Sequence, residues 1–390
     1  ASNPALQNTR QEVIRADVDL NSSTRITGRY THDLSETREL GGLFLGTTVP
    51  NFGTTDTDVP GQVASLELRS THGRIMNEAK YQFSSNRIST ERPDGTLNRR
   101  NEFGVEIPEL FGGNEDNRVP NIAIAGVAAA SSNQPIRIEY FNHTVMNNLT
   151  WQRGSHTLKV GAMAAFESKN ENAANETQGR YSFVATTGGR TAFQNFLTGN
   201  RDGLCTTCTY SEAENEILQN LRFNRYEMFA QDTWRVAPGL TLDYGVRYAL
   251  YPHIVDANDV LTNFDPSLYD PAQAPTYSNA AGTAIVRGTG NPVNGIVIAG
   301  QNSPHGRGIY ATDKNNIQPR AGFSWDPQRE GRMIVRGGFG VYYDQPLVGM
   351  FEQNSFVNPP AAIQMSGDEA SRAWWAHFTP EAARRSSMFR

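Results

Sequence analysis

The sequence predicts an all-β fold: an antiparallel, up-and-down transmembrane β-barrel wall of about ten strands, with long extracellular loops. Three observations predict it. Apolar and polar residues alternate over long stretches, short turns alternate strictly with long polar connections, and aromatic residues gather near the strand ends. Side chains on a strand point to opposite faces with a period of two, so each stretch has an apolar face and a polar face. In a soluble sandwich the apolar faces would meet each other, whereas in an outer-membrane barrel they meet lipid and the polar faces line a lumen. Long structureless connections are unusual in ordinary domains, but barrels pair short periplasmic turns with long outer loops. The loop pattern therefore favours the barrel.

Five hairpins follow in order. The first is expected over Val13–Leu20 and Arg25–Asp33, turning at Asn21-Ser22-Ser23-Thr24. The second covers Val63–Ser70 and Arg74–Phe83, turning at Thr71-His72-Gly73. The third covers Phe141–Gln152 and Thr157–Glu167, turning at Arg153-Gly154-Ser155. The fourth shows the rhythm most clearly: Tyr226, Met228, Ala230, Trp234 and Val236 precede Ala237-Pro238-Gly239, and Leu240, Leu242, Tyr244, Val246, Tyr248 and Leu250 follow it. The fifth covers Ile317–Trp325 and Arg332–Tyr343, turning near 326–331. Each turn carries Gly, Asn, Ser or Pro, which supply the φ values that tight turns need. Strands of about twelve residues exceed the globular norm and suffice for a tilted membrane crossing. Trp151, Trp234, Trp325, Tyr248, Tyr251, Tyr342 and Tyr343 suit the headgroup level.

Composition narrows the function. Charged residues make up 19% of the 390, net charge is -5, and there are 35 Gly, 14 Tyr and 19 Phe. Without a basic block, nucleic acid is not an expected partner. The longest apolar run, Ile122 to Ala130, is about half of what a membrane helix needs. Ala1 to Arg10 lack the pattern of a signal peptide, so the chain is expected to begin after any export signal.

No enzyme is expected. Gly337-Gly338-Phe339-Gly340 sits inside a strand and opens no helix, so it is no phosphate loop. No zinc-protease His pair and no nucleophile elbow occurs, and neither cofactor nor metal is expected. Cys205 and Cys208 supply only two zinc ligands and lack a redox-motif context; a small loop disulfide in an oxidising envelope is the expectation. Asp256, Asn258, Asp259 and Asp265 carry oxygen ligands but not the spacing of a calcium loop, so an Asx-rich turn is expected. Ala373-Trp374-Trp375-Ala376-His377-Phe378 is an aromatic cluster suited to surface binding or to local packing. The lumen-facing candidates are Arg225, Glu227, Arg235, Asp243, Arg247, Arg320, Arg332 and Arg336, able to contact a solute, an internal plug or one another in ion-pair ladders.

Several segments carry a resemblance. Phe229-Ala230-Gln231-Asp232-Thr233-Trp234-Arg235-Val236-Ala237-Pro238-Gly239-Leu240-Thr241-Leu242 and Gly245-Val246-Arg247-Tyr248 resemble a hallmark barrel hairpin of TonB-dependent outer-membrane receptors. Asn263-Phe264-Asp265-Pro266, Gln318-Pro319-Arg320-Ala321-Gly322-Phe323-Ser324-Trp325-Asp326-Pro327 and Val335-Arg336-Gly337-Gly338-Phe339-Gly340-Val341-Tyr342-Tyr343-Asp344 resemble the Oar-like, carboxypeptidase-regulatory-like branch. So do Trp151–Gly161 and Phe193–Asn200, and the likeness is strongest from Phe141 to Asp344. It implies a barrel of twenty-two strands, of which residues 1–390 would supply about ten as a partial barrel, with the plug and regulatory-like domains elsewhere. It further implies a bacterial outer-membrane location, energised uptake of a large or scarce solute, and coupling to the TonB complex through that plug. The rival expectations are a passive porin-like or protein-secretion channel, and a secreted β-rich adhesin.

Overall fold

A computed structural model describes residues 5–367, apart from 44–48, 50–51, 94–97, 104–108, 133–134, 174–175, 187–188, 199–203, 278–287, 346, 356–357, 359 and 361–363. The aromatic cluster at 373–378 lies outside the described residues. Ten long strands form the wall: β1 (Gln7–Asn21), β2 (Thr24–Glu39), β3 (Thr55–His72), β4 (Ile75–Glu91), β5 (Arg137–Arg153), β6 (His156–Ala173), β7 (Arg225–Ala237), β8 (Leu240–Leu250), β9 (Ile317–Trp325) and β10 (Val335–Gly340). They pair strictly in chain order, each antiparallel to the next. The sheet is open, since β1 and β10 each have a single neighbour among the described residues.

All five hairpin connections lie at one end of the sheet, as the alternation of short and long connections requires. Backbone hydrogen bonds stitch them side by side: Thr71 N to Ser23 O (2.8 Å), Gln152 N to Arg74 O (2.9 Å), Arg235 N to Ser155 O (2.9 Å) and Asp326 N to Gly239 O (2.7 Å). Gly239 turns at φ 86°, a conformation that a Cβ penalises. At the first turn, Asn21 closes an Asx loop by accepting from Ser23 N at 2.9 Å.

The strands differ from the sequence expectation in two respects. The strands of the first three hairpins run further than alternation marked them, with β3 at 18 residues and β4 at 17. Their outer ends rise past the apolar band, where polar residues occupy both faces and the rhythm fades. Conversely β10 is only Val335–Gly340, because Arg332 belongs to the connection before it and Tyr342 and Tyr343 lie beyond its end.

The long connections are not structureless. A small sheet runs in the order Gln364–Gly367, Thr209–Ala213, Arg180–Phe183, Asn121–Ile124, Ala128–Ala130. Over it Ile124, Tyr181, Phe183, Ala192, Cys205, Cys208 and Tyr210 form a buried core. A second core gathers Leu221, Phe223, Ile254, Leu261, Val297, Ala299 and Ile309, with Tyr310, Val348 and Phe351 packed on it. The strand Ile217–Arg222 continues the line of β7 upward along β6. The protein-buried apolar residues thus cluster in the loops, because the apolar face of the wall is left for lipid.

Candidate functional site: the inner face of the wall

The strand register sorts every side chain of the wall onto one of two faces. In the fourth hairpin Ala230 lies opposite Val246 and Trp234 opposite Leu242, while Thr233 faces Asp243 and Phe229 faces Arg247. The pairing continues across β9, where Gly245 meets Arg320 and Leu242 meets Phe323, and across β10, where Ser324 meets Arg336 and Ala321 meets Phe339. One face therefore carries Leu242, Tyr244, Val246, Phe323 and Phe339. The other carries Arg225, Glu227, Arg235, Asp243, Arg247, Arg320 and Arg336. Trp151, Trp234 and Trp325 stand on the apolar face next to the turns, a girdle at one membrane interface.

Arg332 is the exception among the candidate lumen residues. It lies between β9 and β10, on neither face, and its guanidinium reaches Glu330 at 3.4 Å with most of the side chain in solvent. The Asp326 carboxylate takes Gly331 N at 2.8 Å and closes the turn, so the strand restarts later than alternation suggested.

On the inner face the charges form a ladder. Arg225 lies 3.9 Å from both Glu167 and Glu227, and the buried Glu227 is ion-paired with Arg247. Arg320 reaches across Gly245 to donate to Gln231, and Thr233 donates to Asp243 at 2.5 Å. Phe229 is an apolar intruder on this face, its ring close against Gly161, where a Cβ would stand 2.5 Å from it.

The apolar face has the converse intruders, and each is paired. Asn77 and Asn147 exchange two hydrogen bonds at 2.9 and 3.1 Å, and Tyr81 meets His143 Nδ1 at 2.9 Å. Asp232 accepts from His156 Nδ1 at 2.6 Å and from the Tyr244 hydroxyl at 2.8 Å. In hydrocarbon no water substitutes for a missing partner, so these pairs are what make polar residues tolerable there.

A second charged stretch of the inner face, on β1–β4, was not singled out from the sequence. Arg15 clasps Asp17 at 2.8 and 3.0 Å, Arg25 clasps Asp19 at 2.6 and 2.9 Å, and Arg69 bridges Glu67 and Glu78 at 3.3 and 2.9 Å. The period-two rule that marked β7–β10 would have found it, since all seven residues share the inner parity.

The loops close over this face at the end opposite the turns. Lys169, on the inner side of β6, is held by both oxygens of Glu352 (2.6 and 2.5 Å) and by Glu171, with its ammonium 5.3 Å from the Tyr140 ring centroid. Glu352 belongs to the helix Val348–Ser355, which is thereby fastened to the inner wall. Burial and the neighbouring Glu171 push the Glu352 carboxyl up to about 7. Cys205 and Cys208 are joined as a disulfide, Cα atoms 5.3 Å apart, inside the first loop core rather than in a polar surface stretch. Asp256 accepts from Asn258 N at 2.7 Å and Asn220 N at 2.5 Å, Asp265 caps the turn at Ser267, and Asp259 holds Arg307. The Asx-rich reading of that stretch matches these bonds. Among the described residues no group of His, Cys, Asp or Glu side chains is arranged to hold a metal.

A single antiparallel sheet, apolar outside and ion-laddered inside, with its turns at one end and folded loops at the other, defines a wall of the outer-membrane barrel class. Residues 1–383 match the family of outer membrane beta barrel domains, and the chain belongs to that family. Its place is the bacterial outer membrane. No curated protein sequence matches it. Among solved structures it is similar to the copper transporter OprC (TM-score 0.42, 12% identity, 86% of this chain and 37% of that one). It is also similar to the outer membrane transporter YddB from Escherichia coli (0.38, 10%, 87% and 39%). A third similarity is to the siderophore receptor PiuA from Acinetobacter baumannii (0.39, 13%, 84% and 41%). The chain spans about two fifths of the length of these structures.

Proposed function

We propose that the chain is part of the barrel of an Oar-like TonB-dependent receptor, lining the path of a large or scarce solute taken up at the expense of the inner-membrane proton gradient. The observation that carries the reading is the inner face. Ion pairs and polar groups run across the wall from β1 to β10 behind a lipid-facing apolar side, which is the arrangement of a polar passage. The barrel motifs around Phe229–Leu242 and Gln318–Pro327 support the energised class. On this reading the ten strands are one arc of a wider wall, the TonB contact is made through a plug region outside the chain, and the protein does no bond chemistry. The described wall is one sheet without a facing partner sheet, which speaks against a sandwich adhesin.

The test is uptake in cells producing the whole protein. Accumulation of its solute is expected to require both the protein and an intact TonB complex, and to stop when a protonophore collapses the gradient. Uptake that persists in de-energised cells would replace this reading by the passive channel.

A further inference from the structure

We propose that the inner face of β2–β4 holds an oxyanion-binding site, centred on Arg29 and Lys80 above Ser65, for phosphate or carboxylate groups of a solute in the lumen. The register lays three rows of residues across this part of the wall. Nearest the turns, Asp19, Arg25, Arg69 and Glu78 stand side by side; next come Asp17, Thr27, Glu67 and Lys80; then Arg15, Arg29, Ser65 and Gln82. In the first two rows every carboxylate is taken: Asp19 by Arg25, Asp17 by Arg15 and Thr27, and Glu67 and Glu78 by Arg69.

Two cations are left over. Arg29 and Lys80 have no ion pair or side-chain hydrogen bond among the described residues, although both stand in a row of charges. Arg29 is also placed directly opposite Arg15 across the β1–β2 ladder. Like charges in directly opposed positions repel, and here Arg15 has turned to Asp17 while Arg29 pairs with neither of its diagonal carboxylates, Asp17 and Glu67, which Arg15 and Arg69 hold. On the strand between them Ser65 faces Arg29 and Glu67, already held by Arg69, faces Lys80; the short Ser65 side chain leaves a polar concavity of about 300 Å³ that both cations line, with Asp17 and Glu67 at its edge. A guanidinium presents two parallel donors to an oxyanion and an ammonium adds a point charge, so the two together fit a phosphate or carboxylate group. Such a group would also relieve the Arg15–Arg29 opposition.

The inference rests on reading this face as a lumen lining, but it is tested by equilibrium binding and not by uptake. The full-length protein in uncharged detergent at low ionic strength is titrated separately with inorganic phosphate and with citrate, followed calorimetrically. Saturable binding of at least one is expected, weakened at least tenfold in the double variant Arg29→Gln/Lys80→Gln and largely kept in Arg29→Lys. Arg332→Gln, in the exposed connection, should bind as the parent does. Thermal unfolding of each variant checks that the wall is intact. Absence of saturable binding of both anions, or binding unchanged in the folded double variant, would overturn the site, and uptake that continued in that case would leave the transport reading standing.

Discussion

Asp232 carries its carboxylate on the lipid-facing side of β7, near the turn, where alternation calls for an apolar residue. Its two donors, His156 and Tyr244, come from the strands on either side, so three neighbouring strands share one polar knot. Removing the acceptor strands both donors in a poorly hydrated layer. Asp232→Ala is therefore expected to cost about 1–3 kcal/mol, the usual penalty for orphaned buried polar groups. Tyr244→Phe, which removes only one donor, should cost less. Urea titration of the protein refolded into lipid vesicles measures both, and an unchanged midpoint for Asp232→Ala would count against the knot. Asp232 and Phe229 also mark where single residues stop being legible from sequence. Each breaks the period of two, and what makes it acceptable is a partner on another strand (His156 for one, Gly161 for the other) that no local pattern reveals.

At the scale of elements, the disulfide and the Lys169 clasp each hold one piece of the outer loops. With Cys205 and Cys208 buried together beside Tyr181 and Tyr210, the mature envelope protein should resist alkylation at both cysteines until it is reduced, as mass spectrometry would show. Rapid labelling of both without reductant would refute the bond. The helix Val348–Ser355 should respond to pH. Glu352 has its carboxyl raised from 4.5 to about 7 by burial and by Glu171. A raised carboxyl holds its proton in the folded state, so its stabilising contribution is full below about 4.5 and is lost as pH rises through about 7. Amide exchange of the helix, corrected for intrinsic rate, is expected to be slower near pH ~5 than near pH ~8. Glu352→Gln should flatten that difference, and an equally steep profile in this variant would exclude Glu352 as the cause. The sequence makes the hairpins legible because one rule, alternation, governs all ten strands. It hides the loop cores because Ile124, Tyr181 and Tyr210, or Leu221, Leu261 and Val297, meet from distant positions with no shared period. The shared parity of the charged residues on β7–β10 follows from the same rule as the strands. Arg332 was misplaced because a closed Asp326 turn looks, residue by residue, like the start of a strand.

For the whole molecule the decisive property is that its two faces need different solvents. Spin labels at Val246 and at the neighbouring Arg247 should report opposite surroundings in vesicles, the first relaxed by oxygen dissolved in lipid and the second by a water-soluble nickel complex. The reverse pattern would turn the wall inside out. Val246→Arg should cost about 2–4 kcal/mol if the position is near mid-bilayer. A row of bonds joins the turns, with Ser23, Arg74, Ser155 and Gly239 each accepting from the hairpin next along. Within the wall each hairpin pairs only with the ones before and after it, whereas the folded loops join segments from several connections. Adding or removing a hairpin would change the circumference by two strands and keep the wall pairing of the same kind, while the loop cores and the Lys169–Glu352 clasp would have to be rebuilt. Bore width in such a wall is thus adjustable only in whole-hairpin steps, and the outer loops, not the strands, set what such a step disturbs.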